Sequence, residues 1–375
     1  MTLRRYLRIA PEESFRELPE APEWFNFNQS EEGLETPDEQ YGTFEGAATR
    51  GPLYAAPEDY VSDGDTAVPV DIENVACLLY AALGSIESGY VTELIDWEER
   101  EDNNENIDEG EVMIGTDDNY YICTGHHNAH DDHRPVTGDE WELYWEEYEP
   151  TYDHVFKPAE SLPSMRLAVG KDSFEHRFKG MVVDSLTLEY EDGFLVAGID
   201  WIGAEDEKHE LAEIETSDLP EDVVTSLMGT FHRDDEDFTG SVEEFELNLE
   251  NNVEVEEHTP ASQRFPVAAV PEELEITVEL TVSFEDSEEL EAYWGDEEGP
   301  NELVEETDFS IAFEDSNEDK LEIVLPRVIC QDHSANVSGR DRIEQTMEYE
   351  ALVDHELGYP LVATLINDIQ EYSMS

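Results

Sequence analysis

The stretch FKGMVVDSLTLEYEDGFLVAGIDWIG, Phe178 to Gly203, decides the fold class. Leu186, Leu188 and Tyr190 alternate with Thr187, Glu189 and Glu191. Beyond Asp192-Gly193, Leu195, Ala197, Ile199 and Trp201 share the other strand's apolar face. Period-two alternation on both sides of Asp-Gly predicts a β-hairpin, because its tight turn needs positive φ at both central residues. Nothing in the stretch is catalytic in type.

The same period recurs through the chain. Phe245, Leu247 and Leu249 alternate with Glu246, Asn248 and Glu250, and Leu274 to Phe284 is the longest such run. Further strands are predicted at Met165–Val169, Phe309–Phe313, Leu321–Leu325, Ile343–Ala351 and Leu361–Ile366. One clear helix is predicted, with Ile72, Val75, Ala76, Leu79 and Leu83 on a face, Asp71 as cap and Gly84 as stop. Short helices are expected at Ser287–Trp294 and Glu221–Leu227, and residues 41–66 read as a long loop.

Two halves share this order of helix, strand and closing hairpin. RLAVGKDSFEHRFKGMVV is patterned like SIAFEDSNEDKLEIVLPRV, and EDGFLVAGIDWIG like ELGYPLVATLIND. The organisation read from this is mainly β, in two tandem β-sandwich domains each with a short flanking helix. Residues 1–40 form an N-terminal arm. The first domain spans 41–204 with a surface insertion at 86–160, 205–237 is a connector, and 238–375 is the second domain.

Charge narrows the setting. The chain has 97 acidic and 19 basic residues, a formal charge of -78. Self-repulsion on that scale opposes a compact state. An apolar fraction of 39% with sustained alternation argues for folding all the same, in concentrated salt. There the screening length falls to about 3 Å. Acid-rich and Lys-poor composition (5 Lys against 14 Arg) points to a haloarchaeal setting. No Lys/Arg cluster exists to hold phosphates, so a conventional nucleic-acid binder is excluded. Cys77, Cys123 and Cys330 lie too far apart for a disulfide framework or a CxxC site. Arg4, Arg5 and Arg8 are not followed by an apolar run, so no signal peptide is read. No stretch approaches the roughly 20 apolar residues of a membrane span. A soluble protein made in the cytoplasm is expected.

Three stretches invite chemistry. CTGHHNAHDDH offers Cys123, His126, His127, His130 and His133 as metal ligands, against the plainer reading of a solvated loop. DNNENIDEGE, Asp102 to Glu111, alternates oxygen ligands like a calcium loop, but Ile107 stands where the sharp turn needs Gly. WELYWEEYE places Trp141, Leu143 and Trp145 on one strand face, as a sugar platform or as core packing. No catalytic motif is present, and no cofactor is called for. Lys157, Arg166, Lys171, Arg177 and Lys179 cluster in one stretch, either by chance on a solvated face or to meet acids of an adjacent subunit.

Taken in order, several motifs resemble the tail tube (major tail) proteins of long-tailed viruses. They are Leu162-Pro163-Ser164, Phe178-Lys179-Gly180, Val183-Asp184-Ser185-Leu186, the helix ENVACLLYAALGS at Glu73–Ser85, and the terminal strand LVATLIND. The resemblance covers about 160–375 plus 41–85. It implies β-sandwiches flanked by a helix, subunits joined edge to edge into rings, and rings stacked into the tube through which DNA passes without specific binding. The usual ring has six tube domains, so a two-domain chain implies three subunits and a one-domain chain six. Implied partners are further copies, a tape measure protein and terminator or tip proteins, in the virion tail. The runner-up is a secreted or surface adhesin binding glycan through Trp141 and Trp145.

Overall fold

The computed structural model describes residues 3–27, 31–36, 41–45, 52–57, 60–92, 94–103, 105–220, 222–234, 236–239, 242–255, 264–283, 290, 293–294, 299, 306–335 and 344–374. The chain divides into two compact units. The first holds Met1–Ile86, Val155–Thr364 and Ser373–Ser375; the second holds Glu87–His154 and Leu365–Tyr372. The second unit spans nearly the stretch set apart as an insertion. Residues on both sides of the 205–237 connector belong to the first.

Within the first unit we number the strands β1 (Leu7–Pro11), β2 (Phe25–Phe27), β3 (Ser62–Pro69), β4 (Met165–Gly170), β5 (Glu175–Glu191), β6 (Phe194–Gly203) and β7 (Glu205–His209). They continue as β8 (Gly229–Arg233), β9 (Val242–Glu250), β10 (Glu275–Ser283), β11 (Glu306–Glu314), β12 (Lys320–Ala335) and β13 (Glu344–Ala351). Helix α1 is Val75–Leu83.

Strand β5 belongs to two antiparallel layers. Its first half pairs with β4 and β7, and β4 continues to β1 and β2. Its second half pairs with β6 and β9. From there the sheet runs β3–β6–β5–β9–β10–β13–β12–β11–β8. The strand changes layer where Gly180 takes φ 64° and the register slips between Val183 and Ser185. A Cβ at Gly180 would lie 2.9 Å from both Phe15 and Arg16 side-chain atoms, so glycine answers both the backbone angle and the close approach.

The hairpin of the quoted stretch forms as predicted. Asp192 and Gly193 both have positive φ, and Leu186, Leu188, Leu195, Ala197, Ile199 and Trp201 are all buried. Trp201 Nε1 donates to Thr66 Oγ1 at 2.8 Å, which satisfies the one polar atom that the indole brings into the core. Helix α1 is also where the spacing put it. Asp71 Oδ1 accepts from Asn74 N at 2.7 Å, and Gly84 closes the helix in the left-handed region at φ 89°. Eight of its nine residues are buried, so it packs all round rather than along one stripe.

One pairing scheme occurs twice. β4–β5–β6 is a pair of hairpins about a long strand, and β6 pairs back with the earlier strand β3. β11–β12–β13 repeats it, and β13 pairs back with β10. The register slip in β5 between Val183 and Ser185 has its counterpart in β12 between Cys330 and Asp332.

Three local expectations need correction. Residues 41–66 are not a long loop: Tyr41–Glu45 pairs with Pro52–Pro57, and β3 is an interior strand of the large sheet. Backbone pairing to β6 overrides the poor strand propensity of Ser62-Asp63-Gly64-Asp65. The helix expected at Glu221–Leu227 is replaced by single turns at Thr216–Asp218 and Ser226–Met228. Trp141–Leu143 is also a single helical turn, and the strand begins only at Trp145. The helix expected at Ser287–Trp294 lies largely outside the described residues.

Four members of the basic stretch, Arg166, Lys171, Arg177 and Lys179, find acids within the chain. Arg166 Nε donates to Glu12 Oε1 at 2.9 Å, while Glu12 also accepts from Ser164 Oγ at 2.8 Å. Glu175 is fully buried and accepts from Tyr6 Oη at 2.8 Å, Arg8 Nη2 at 3.0 Å and Arg177 Nε at 2.5 Å. Burial pushes the Glu175 carboxyl up, but these hydrogen bonds outweigh it and hold the group below its usual range. Lys179 reaches Glu207 at 2.5 Å and Glu205 at 3.3 Å, and Lys171 reaches Glu32 at 3.0 Å. Lys157 lies 5.8 Å from the Tyr359 ring centroid.

Removing Arg166 strands a buried carboxylate, so Arg166→Ala is expected to cost about 3–5 kcal/mol. Removing Arg5, which meets Asp172 in solvent, should leave stability almost unchanged. Paired thermal melts in molar salt check this: equal melting of the two variants would refute a structural role for the buried pair.

Candidate assembly surface

The outer face of the large sheet has an unusual composition. Cross-strand register sets Glu189 opposite Glu246, Glu246 opposite Glu279, Glu279 opposite Glu348, and Glu348 opposite Asp332. Residues directly opposite in an antiparallel ladder share a face, at about 4.5–5.5 Å between Cβ atoms. Five carboxylates therefore form one row across five adjacent strands. Burial and then the charges of Glu189 and Glu279 push the Glu246 carboxyl up.

Neighbouring rows are neutral or acidic. Thr187, Asn248, Thr277 and Glu350 form one, with Thr187 Oγ1 donating to Asn248 Oδ1 at 3.1 Å. Glu244, Thr281, Thr346 and Ser334 form another, with the two threonine hydroxyls 3.3 Å apart. No Lys or Arg occurs in β9, β10, β13 or the second half of β5. The inward rows are apolar, as in Leu188, Leu247, Val278 and Tyr349. The alternation was legible in the sequence. The alignment of carboxylates across strands was not, because it depends on register.

The second unit holds the stretches that suggested ligand chemistry. Its core is Trp97, Ile107, Met113, Tyr121, Cys123, Ala129 and Trp145. Cys123 and His127 are buried there, with Cys123 Sγ 3.6 Å from His127 Nδ1. His127 Nδ1 donates to the Gly125 carbonyl at 2.9 Å, and its ring stacks on Tyr144 at 4.5 Å. His126 faces Asp108 at 2.5 Å, His130 accepts from Asp132 N at 3.3 Å, and His133 Nδ1 donates to the Asn128 carbonyl at 3.2 Å. Among the described residues no three His, Cys, Asp or Glu side chains converge to hold a metal ion. Cys123 and His127 thus pack into the core, while His126 and His130 stay exposed on the loop.

The acidic loop Asp102–Glu111 is tied down by a cation from its own unit. Arg100 binds Glu105 at 3.1 Å and Glu111 at 2.5 Å. The tryptophans form no platform: Trp145 is 2% exposed and donates to the His133 carbonyl at 2.9 Å, and Trp141 packs edge-on to Tyr121.

Two buried imidazoles make this unit acid-sensitive. Burial lowers the affinity of His127 and of His154 for protons, against opposing hydrogen bonds to backbone carbonyls. A histidine whose folded pKa is depressed leaves the unfolded chain binding more protons as pH falls below about 6.5. The unit's stability is therefore full above that pH and lost below it. Hydrogen exchange of residues 105–148 should accelerate between pH 7 and 5, and His127→Phe should reduce the effect. Exchange independent of pH, after correction for intrinsic rates, would count against it.

A family model described as phage tail tube protein matches residues 4–351. No curated protein matches the chain. Among solved structures, the TodX deltaS2S3 mutant monoaromatic hydrocarbon channel aligns over 97% of this chain and 88% of its own at 8% identity. Its TM-score is 0.10, and no likeness of fold is drawn from it. The family match spans nearly the whole chain, the described structure is mainly β, and the chain belongs to the phage tail tube protein family, whose members are structural parts of the virion and not enzymes.

Proposed function

We propose that this chain polymerises into stacked rings that form a viral tail tube, with the acidic sheet face toward the lumen that DNA traverses. The carboxylate row, four of whose five strand segments hold no Lys or Arg, carries the reading. Like charges set directly opposite each other destabilise the subunit. The same charges suit a DNA conduit, because they repel phosphate and offer no cation to hold it.

The order of strands supports a ring. Block β3–β6–β5 and block β10–β13–β12–β11 follow each other in the same sense along one sheet, joined by β9. Repeating that junction between chains gives a heterologous contact that closes by rotation. With two blocks per chain, corresponding to the tandem domains at 41–204 and 238–375, three copies supply a ring of six blocks. The unit at Glu87–His154 occurs once per chain, so each ring carries three. A tape measure protein, a terminator and tip proteins complete the tail, and the subunit is made in the host cytoplasm before assembly. The formal charge of -78 assigns the virus to a haloarchaeal host, whose salt screens the repulsion. The adhesin alternative loses its ligand platform with the burial of Trp145.

Purified protein in molar KCl should give tubes by negative-stain microscopy, with threefold averaged cross-sections and three chains per ring by mass. The tubes should dissociate well below molar salt. Monomers at all salt concentrations would remove the tube reading, and six chains per ring would remove the duplication while leaving the tube.

A further inference from the structure

The repeated pairing scheme can be extended residue by residue, and it reaches a strand edge at Ser334–Ala335 that carries no counterpart of β9 among the described residues. The register slips align β5 with β12: Val183 matches Cys330 and Ser185 matches Asp332. Their hairpin partners then align, Trp201 with Tyr349 and Asp200 with Glu348. Through those partners β3 aligns with β10, Gly64 with Val278 and Asp65 with Glu279.

What precedes each strand also matches. β9 pairs with β10, setting Leu247 opposite Val278 and Asn248 opposite Thr277. The segment Glu31–Glu35 pairs with β3, setting Glu31 opposite Ala67, Glu32 opposite Thr66 and Glu35 opposite Asp63. In the shared frame Glu35 matches Asn248 and Leu34 matches Leu247, with no slip between them. Burial agrees, for Leu34 is 3% exposed and Leu247 is 2% exposed.

β9 has a second partner. Its other edge carries β5, with Thr187 opposite Asn248 and Leu188 opposite Leu247. The counterparts of Thr187 and Leu188 in β12 are Ser334 and Ala335. Both are exposed, and one edge of this part of β12 pairs with β13. We propose that Glu31–Glu35 of one copy bridges to β12 of the next, antiparallel, with Glu35 opposite Ser334, Leu34 opposite Ala335 and Thr36 opposite His333.

This rests on the ring reading and specifies its junction. The interface is strand addition, whose affinity comes from main-chain hydrogen bonds and whose register is set by side chains. It also extends the sheet from one chain to the next, so that every block meets its neighbour through an inserted strand. A slip of one residue would set polar Ser334, in place of Ala335, beside Leu34, whose inward facing is fixed by its pairing with β3.

The test is cross-linking in the full chain. Glu35→Cys with Ser334→Cys, in a Cys330→Ser background, places two thiols at directly opposite positions, within disulfide reach. Oxidised under assembly conditions in molar salt, this variant should give covalent dimers and trimers on a non-reducing gel, and its tubes should resist dilution from salt. Glu35→Cys with Ala335→Cys, one residue out of register, should cross-link at least about tenfold less, since alternate residues face opposite sides of a strand. If wild-type tubes form but the in-register pair does not cross-link, or the two pairs cross-link equally, the junction is wrong while the tube stands. If wild-type protein forms no polymer and neither pair cross-links, both readings fall.

Discussion

Backbone pairing holds this protein together against its own charge. The large sheet sets Glu189, Glu246, Glu279, Glu348 and Asp332 side by side, an arrangement that side-chain energetics alone would reject. It persists because the alternate positions bury Leu188, Leu247, Val278 and Tyr349 on the inner face. Slipping any strand by one residue would relieve the carboxylates only by bringing them into the core, which costs far more. Register is therefore fixed from inside, and the outer face is left to selection for function.

Two buried carboxylates take several of the few cations. Glu12 and Glu175 lie inside the layer that joins β1, β4 and the first half of β5, and each is met by arginine. A carboxylate taken out of water without a partner costs several kcal/mol, whereas salt in solution can screen an exposed one. A chain short of lysine and arginine gains most by placing them at buried sites. This explains why residues 157–179 carry a basic cluster. In sequence it looks like a surface patch, but its partners include Glu12 and Glu32, each more than 130 residues from the cation it meets.

What could be read in the sequence and what could not follows from that separation. Helix α1 and the Asp192-Gly193 hairpin are local: periodicity, caps and turn residues lie within a few positions of each other, and the structure has them in place. The strand at Ser62–Pro69 was missed because its evidence lies in β6, over 130 residues on, and its own residues favour turns. Trp141–Trp145 misled for a different reason. Alternating aromatics fit a strand, but Trp141 packs edge-on against Tyr121 and Trp145 against Trp97, and a helical turn serves that small core better. The histidines beside them carried a metal-like spacing, yet His127 is occupied by the Gly125 carbonyl and Tyr144. The carboxylate row is invisible in one dimension because it needs four registers at once.

The two pairing blocks differ in nearly every residue, and the contrast says what such a repeat preserves. Leu186 and Leu188 correspond to His333 and Ala335, and Trp201 to Tyr349, so core identity has drifted. The register slip in the long strand, the hairpin on either side and the return pairing to the earlier strand have not. Side chains can be exchanged when volume and pattern are kept. A change in pairing order would instead move whole strands between edge and interior, where exposed backbone invites the wrong partner. Between these two blocks, topology is thus the conserved quantity and composition the free one. A strand order that survives such drift is held by backbone pairing, not by the identity of any one side chain.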